Sequence, residues 1–161
     1  MTNTTLPRTY SAPAAQQPQP AEPSYLRTVR RLSVPLLRLA LGLVFVWFGA
    51  LEVAGVTPVG DLVAGALPWF DAAWVVPALG AFEVLLGLVL VSGKLVGLAC
   101  AAMIAHLGGT FLVYVMQPEV AFTNGNPLLM TMEGEFVAKN VVLITAGLVV
   151  ALWSRHARAL R

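Results

Sequence analysis

Two titratable side chains, Glu83 and His106, lie near the middle of long apolar segments. A charged side chain at the centre of a membrane helix costs about 2.5 to 3.5 kcal/mol, so such groups face the bundle interior and find partners. Glu83 precedes Lys94 by 11 residues and His106 follows it by 12, so two antiparallel helices joined near Lys94 would place them at one depth. We predict a facing, proton-sharing pair that is the candidate catalytic centre. The alternative is a histidine that only fills a packing position.

Four further charged residues are candidates for the same ligand site or structural polar centre. Arg38 and Glu52 share a face of the first apolar segment, but at 1.5 Å per residue they are about 21 Å apart and cannot pair. Arg38 can instead extend its side chain to the membrane surface. Glu135 and Lys139 are spaced for a helical ion pair. Glu52 is expected at the depth of Lys139, which predicts a second, competing pair.

Cofactor chemistry is narrowed by what the chain contains. Cys100 is the only cysteine, so no intrachain disulfide or Cys-x-x-Cys motif can form. Haem held by two histidines is disfavoured because the only other histidine, His156, belongs at the cytoplasmic end, far from the mid-span His106. No metal-ligand spacing is recognisable, and we predict no metal site.

The elements that carry these residues are membrane helices. Hydrophobic residues make up 58% of the chain and charged residues 11%, against roughly a quarter charged in soluble domains. A span needs about 20 apolar residues. The pattern predicts an all-α membrane protein, a four-transmembrane-helix bundle over 34–154. Its spans cover about 34–54, 72–92, 95–116 and 136–154, after a disordered tail at 1–33 and before a basic terminus at 155–161.

The basic residues predict the topology. Nine of the ten Lys and Arg residues precede or open the first span, occupy the turn at Lys94 or follow the last span. Because Lys and Arg are retained on the cytoplasmic side, both termini are predicted there. The connection at 56–69 then lies outside, and its apolar residues predict a short interfacial helix or re-entrant segment. The connection at 117–135 is also external, and the two could together roof the bundle.

Small residues on the helix faces predict close packing. Gly42 and Gly49 share the face of Glu52, and Gly80 and Gly87 share the face of Glu83, which lets neighbouring backbones approach. A second stripe on the third helix is also expected to pack tightly; it comprises Gly93, Gly97, Ala101, Ala105 and Gly109.

With these residues in place, the chain resembles the YkgB family of small bacterial inner-membrane proteins, a branch of the wider DoxX-like group. The resemblance covers most of 36–160 and is carried by four stretches: LLRLALGLVFVWFGALEVAGVTPVGDLVAGALPWF, GAFEVLLGLVL, FLVYVMQPEVAF and GEFVAKNVVLITAG. Where the family's first helix usually has a Lys after its Trp-x-Gly motif, this chain has Glu52. The resemblance implies a bacterial inner (plasma) membrane location and a link to resistance against reactive chlorine and other oxidants. It also implies a connection to quinone or thiol redox chemistry in related members.

Three functions follow from these observations. The lack of a complete catalytic constellation favours a non-catalytic role, in which the bundle supports oxidative-stress resistance by binding a partner or altering the bilayer. The alternative is a quinone- or thiol-linked redox enzyme component that uses Glu83 and His106. A small oligomeric permease is the third. The partners expected are the lipid bilayer, a membrane or periplasmic redox protein and further copies of this chain. Basic residues at helix ends argue against nucleic acid.

Overall fold

The structure, a computed structural model, describes residues 23–159, with side chains through residue 154. The described residues form α-helices and one short 3-10 helix (Thr123–Gly125) joined by turns and loops, with one isolated β-bridge between Phe122 and Met130. Residues 1–22, the first part of the tail predicted at 1–33, and the terminal residues 160–161 lie outside the described part of the chain.

The helices follow one another through short connections. Over residues 23–159 they are α1 (Ser24–Val53), α2 (Gly60–Ala66), α3 (Ala72–Ser92), α4 (Val96–Thr110), α5 (Val113–Met116), α6 (Pro118–Ala121), α7 (Met132–Ala138) and α8 (Asn140–Ala159).

Four of the described segments are long and apolar enough to cross a membrane. They are Ser24–Val53, Ala72–Ser92, Val96–Met116 and Met132–Ser154. The third combines α4 with α5, and the fourth combines α7 with α8. The prediction of a multi-pass bundle with four spanning helices is confirmed.

The first helix begins ten residues before the predicted boundary at 34. The prediction that 24–33 belongs to a disordered tail is wrong for this stretch, which is helical from Ser24. Between Ser24 and Ser33 the chain has no Pro or Gly, so nothing there interrupts a helix that continues outward from the span. Pro35 accordingly lies inside α1 rather than in its first turn.

The most extensive helix pairing joins α1 to α3 through four glycines. A Cβ added to Gly42 would lie 2.8 Å from the carbonyl oxygen of Gly87, and one added to Gly80 would lie 2.6 Å from that of Gly49. The two pairs match in antiparallel order, and the glycines of each helix are seven positions apart. This spacing keeps both contacts on one line, as in a heptad repeat, and we call that line the glycine seam. The predicted close packing of these glycines is confirmed.

The prediction that the stripe of small residues on the third helix packs tightly is wrong. Gly93 lies before α4 and ends α3 with a left-handed backbone (φ 73°), a conformation in which glycine carries no Cβ penalty. A Cβ added to Gly97 or Gly109 would meet nothing within 4 Å. Helix α4 packs on α8 instead, and these two glycines approach no neighbouring helix closely among the described residues.

Two apolar clusters fill opposite ends of the bundle. The core cluster lies toward the turn at Gly93, which we call the turn end. It comprises Leu41, Phe45, Leu86, Leu90, Val96, Ala99, Cys100, Met103, Leu107 and Val150. The roof cluster, at the end that we call the roof end, comprises Leu62, Ala66, Val113, Ala121 and Val137.

The two connections predicted to roof the bundle contact each other. Gln117 donates its side-chain amide to the carbonyl oxygen of Leu62 in α2 at 2.8 Å. The Tyr114 hydroxyl donates to the carbonyl oxygen of Gly134 in α7, also at 2.8 Å. Thr131 caps α7, since its hydroxyl oxygen accepts from the Gly134 amide at 3.1 Å. These bonds tie α2, α5 and α7 into one layer over the helix ends.

Candidate functional site

A cavity of about 630 Å³ lies between the helices, below the roof cluster and beside the core cluster. Its wall is mostly aliphatic and aromatic, with contributions from α1, α2, α3, α4, α7 and α8. Phe48 of α1 and Phe136 of α7 line it and meet edge to face, with ring centroids 6.1 Å apart. Ligand pockets are typically concave, apolar and of about 300 to 1,000 Å³, with a few polar groups that fix orientation. This cavity has that size and that character.

The polar end of the cavity is the Glu83–His106 pair. Nε2 of His106 lies 2.7 Å from Oε1 of Glu83, and the side chains are 12% and 13% exposed, respectively. The rings of Phe45 and Phe82 lie 6.3 and 5.6 Å from the imidazole, measured between centroids. The predicted contact between Glu83 and His106 is confirmed. Glu83 and His106 lie at the same depth because they are similarly far along the chain from the short turn at Gly93, which joins α3 and α4.

Glu52 is a second carboxyl in the cavity wall. It is 7% exposed, and its Cβ lies against Gly80, one turn of α3 before Glu83. Among the described residues its carboxyl forms no hydrogen bond or ion pair. Glu83 and His106 lie within electrostatic reach of it. Two carboxyl groups and an imidazole thus share the wall of a cavity that Lys139 also lines.

The ion pair predicted between Glu52 and Lys139 is wrong. Nζ of Lys139 instead lies 3.6 Å from Oε2 of Glu135, and these side chains are 74% and 61% exposed. The reason is the rotation of each helix about its axis: Glu52 faces α3 at the glycine seam, whereas the Lys139 ammonium points out of the bundle. The helix-start ion pair, the competing interpretation, is confirmed.

A hydrogen-bonded pair that the sequence analysis missed closes the wall between α4 and α8. The buried Asn140 donates its amide to Oγ1 of Thr110 at 2.9 Å, and the Thr110 hydroxyl donates to the carbonyl oxygen of Leu107 at 2.6 Å. Both residues line the cavity. The available signal was a pair of polar residues inside apolar spans, one per helix, which apolar packing alone does not explain.

Arg38 does not belong to this site. Its guanidinium lies at the turn end, where a Cβ added to Gly93 would contact it. Its Nε is buried and has no hydrogen-bond partner within the described part of the chain. The core cluster separates it from the cavity. Of the six candidate polar residues, the structure therefore brings Glu52, Glu83 and His106 together, places Lys139 and Glu135 at the rim, and sets Arg38 apart.

Metal ligation finds no support in this geometry. Within the described residues no group of three or more His, Cys, Asp or Glu side chains is placed to hold a metal ion. The cavity instead offers a large apolar surface with a short polar wall. That combination suits an organic molecule with a hydrophobic body and a few polar atoms.

The fold and the site together define a class: a four-helix membrane protein with a ligand-sized cavity between its helices. Comparison of the chain with protein-family models, with curated proteins and with solved structures found no match. The site itself is therefore the basis for the function.

Proposed function

We propose that this chain binds a ring compound of the quinone class between its helices, with the Glu83–His106 pair as the polar end of the site. The observation that carries the proposal is that pair, bonded at 2.7 Å in the wall of an apolar cavity of about 630 Å³. A quinone head group combines an apolar ring with oxygen atoms that hydrogen-bond. The aromatic rings of Phe45, Phe48 and Phe136 offer it edge and face contacts.

The pair suits chemistry in which protons accompany electrons. One proton is shared between the imidazole and the carboxyl, so the pair can give or accept it with little movement of heavy atoms. A quinone takes up two protons and two electrons when it becomes a hydroquinone. The resemblance to the DoxX-like group favours the same chemistry, with tolerance of oxidants and reactive chlorine as its setting.

We further propose that the chain lies in a bacterial inner membrane with both termini in the cytoplasm. Nine of ten basic residues support this orientation. Arg38 lies beside Gly93, so basic groups from two parts of the chain collect at the turn end. The roof end would then face away from the cytoplasm, with α2 at the external surface of the inner membrane. The cavity lies nearer to that side, since residues of α2 and α7 contribute to its wall.

Extraction of the purified protein tests the proposed function. Wild-type protein in mild detergent should retain a quinone-class lipid, measured by solvent extraction and chromatography in near one-to-one amount. Glu83→Gln should lose it because the wall then presents a neutral amide without the shared proton. Glu119→Gln is the matched control, since Glu119 is exposed in α6. Wild-type protein without quinone, which also fails to take it up from mixed micelles, would overturn the proposal.

A further inference from the structure

The cavity has two lateral sides, and each is crossed by a contact between side chains. Around the bundle the spanning helices follow the order α1, α3, α4 and α8, and α8 returns to α1. On the side between α3 and α4 the contact is the Glu83–His106 hydrogen bond. On the side between α1 and the α7–α8 span it is the edge-to-face contact of Phe48 with Phe136. The polar pair and the aromatic pair therefore close opposite sides of the cavity.

The aromatic side is a thin wall. Phe48 and Phe136 line the cavity, yet they are 36% and 39% exposed, so single rings separate the cavity from the surroundings. Val142 of α8 also lines the cavity and is 66% exposed. All three residues lie within spanning segments, whose exposed surface faces lipid tails. The cavity thus borders the bilayer on this side.

The polar side is fastened more firmly. Ala105 and Gly109 of α4 line the cavity there and are exposed, but the hydrogen bond between Glu83 and His106 joins α3 to α4 beside them. Such a bond between mostly buried side chains is costly to break away from water. The two phenylalanine rings share no hydrogen bond, and they separate when their side chains rotate. A molecule that comes from the bilayer therefore meets less resistance on the aromatic side.

We infer that the cavity opens to the bilayer between α1 and the α7–α8 span, beside Phe48, Phe136 and Val142, and that this opening is the subsite for the apolar tail of a long-chain lipid. The inference rests on the proposed function and adds the tail of the ligand to its ring. With the ring at the Glu83–His106 pair, the tail points across the cavity to the opposite side. A cavity of about 630 Å³ encloses a drug-sized molecule. A polyisoprenoid tail is several times larger, so most of it lies outside, among the lipid tails.

Two probes that share one benzoquinone ring test the inference on the full-length protein in lipid nanodiscs. One probe carries a methyl group and the other a long polyisoprenoid tail, and affinity is expressed against the probe concentration in the lipid phase. Wild-type protein should bind both probes within about threefold, because the tail exchanges one apolar environment for another. Val142→Trp places a bulky ring in the opening. It should weaken binding of the tailed probe at least about tenfold and leave the methyl probe unchanged.

Val141→Trp is the matched control, since Val141 is also exposed but lies off the cavity wall. This variant should bind both probes as wild-type protein does. Wild-type protein that binds only the methyl probe would overturn the opening while ring binding stands. The same holds if Val142→Trp binds the tailed probe normally or loses both probes equally. If neither probe binds wild-type protein, the proposed function itself fails.

Photolabelling gives a second measurement that needs no variant, and it decides the matter should Val142→Trp not fold. A diazirine on the tail segment nearest the ring should label α1 around Phe48 and α8 around Val142, as read by mass spectrometry of the digested protein. Labels on α4 around Ala105 and Gly109 instead would show that the tail leaves between α3 and α4, which would overturn the inference.

Discussion

The glycine seam between α1 and α3 offers a test in which one chemical change has opposite effects at two sites. In Gly49→Ala the new methyl group would lie 2.8 Å from Cβ of Glu83 and would contact the carbonyl oxygen of Gly80 still more closely. Carbon atoms pack at about 3.5 to 4.0 Å, so the helices must separate by about 1 Å. In Gly108→Ala the same methyl group meets nothing within 4 Å.

The two substitutions should have different effects on the free energy of unfolding. Overpacking of a close interface costs about 1 to 3 kcal/mol, and the atoms that Gly49→Ala would meet are backbone or Cβ atoms, which cannot turn away. The free energy of unfolding should therefore fall by about that amount. Gly108→Ala should leave it unchanged or raise it by up to about 1 kcal/mol, because alanine is the better helix former. Gly80→Ala should resemble Gly49→Ala, and the double variant should cost less than the sum, since both changes separate the same helices.

Reversible unfolding in mixed micelles of detergent and dodecyl sulfate, followed by circular dichroism, measures these differences. The ligand assay is a second readout, because separation of α1 from α3 moves Glu52 relative to Glu83. Gly49→Ala should therefore bind the ligand more weakly, while Gly108→Ala should bind it normally. If Gly49→Ala were as stable as Gly108→Ala, the close approach at the seam would be refuted.

Three further predictions follow from the site and the topology. His106→Gln and Glu83→Gln should each insert normally but lose the ligand. Their free energies of unfolding should fall by about 1 to 3 kcal/mol, because one buried partner is left unpaired. Normal ligand binding at wild-type expression would show that the pair has only a structural role. Lys139→Met should change the free energy of unfolding by no more than about 0.5 kcal/mol, because its ion pair is exposed; a larger loss would mean that the ammonium acts inside the cavity. A phosphatase fused after Arg161 should be inactive and one inserted within 122–128 active, since phosphatase folds only outside the cytoplasm; reversed activities would overturn the orientation.

Depth along the membrane could be predicted from the sequence, whereas rotation about the helix axis could not. Depth follows from the rise per residue and the position of a turn, so Glu83 and His106 were paired correctly from their distances to Lys94. The pairing of Glu52 with Lys139 used the same argument and was wrong, because two residues at one depth still meet only if their helices turn them toward each other. Only the glycine seam fixed the rotation of α1 and α3.

A cavity is harder to predict from a sequence than a close contact between helices. The glycines of α1 and α3 predicted their contact because small residues in register on two helices permit a backbone approach that larger side chains would block. Gly97 and Gly109 of α4 belong to a similar stripe of small residues but approach no neighbouring helix closely among the described residues, because the sequence of one helix does not say which face has a partner. The cavity depends on which side chains fail to meet, and its polar wall at Thr110 and Asn140 was therefore missed.

The close contacts group the four spanning helices into two pairs, which we call arms. Helices α1 and α3 form one arm, joined along the glycine seam, and α4 with α8 forms the other. The arms are fastened at the turn end by the core cluster and the backbone at Gly93, while the cavity separates them nearer the roof. The separation of the arms around a bound ligand would thus depend on the packing of the core cluster. A change of packing in the core cluster would alter the separation of the two arms at Glu83 and His106, so the packed end of the bundle would set how wide a molecule the cavity admits.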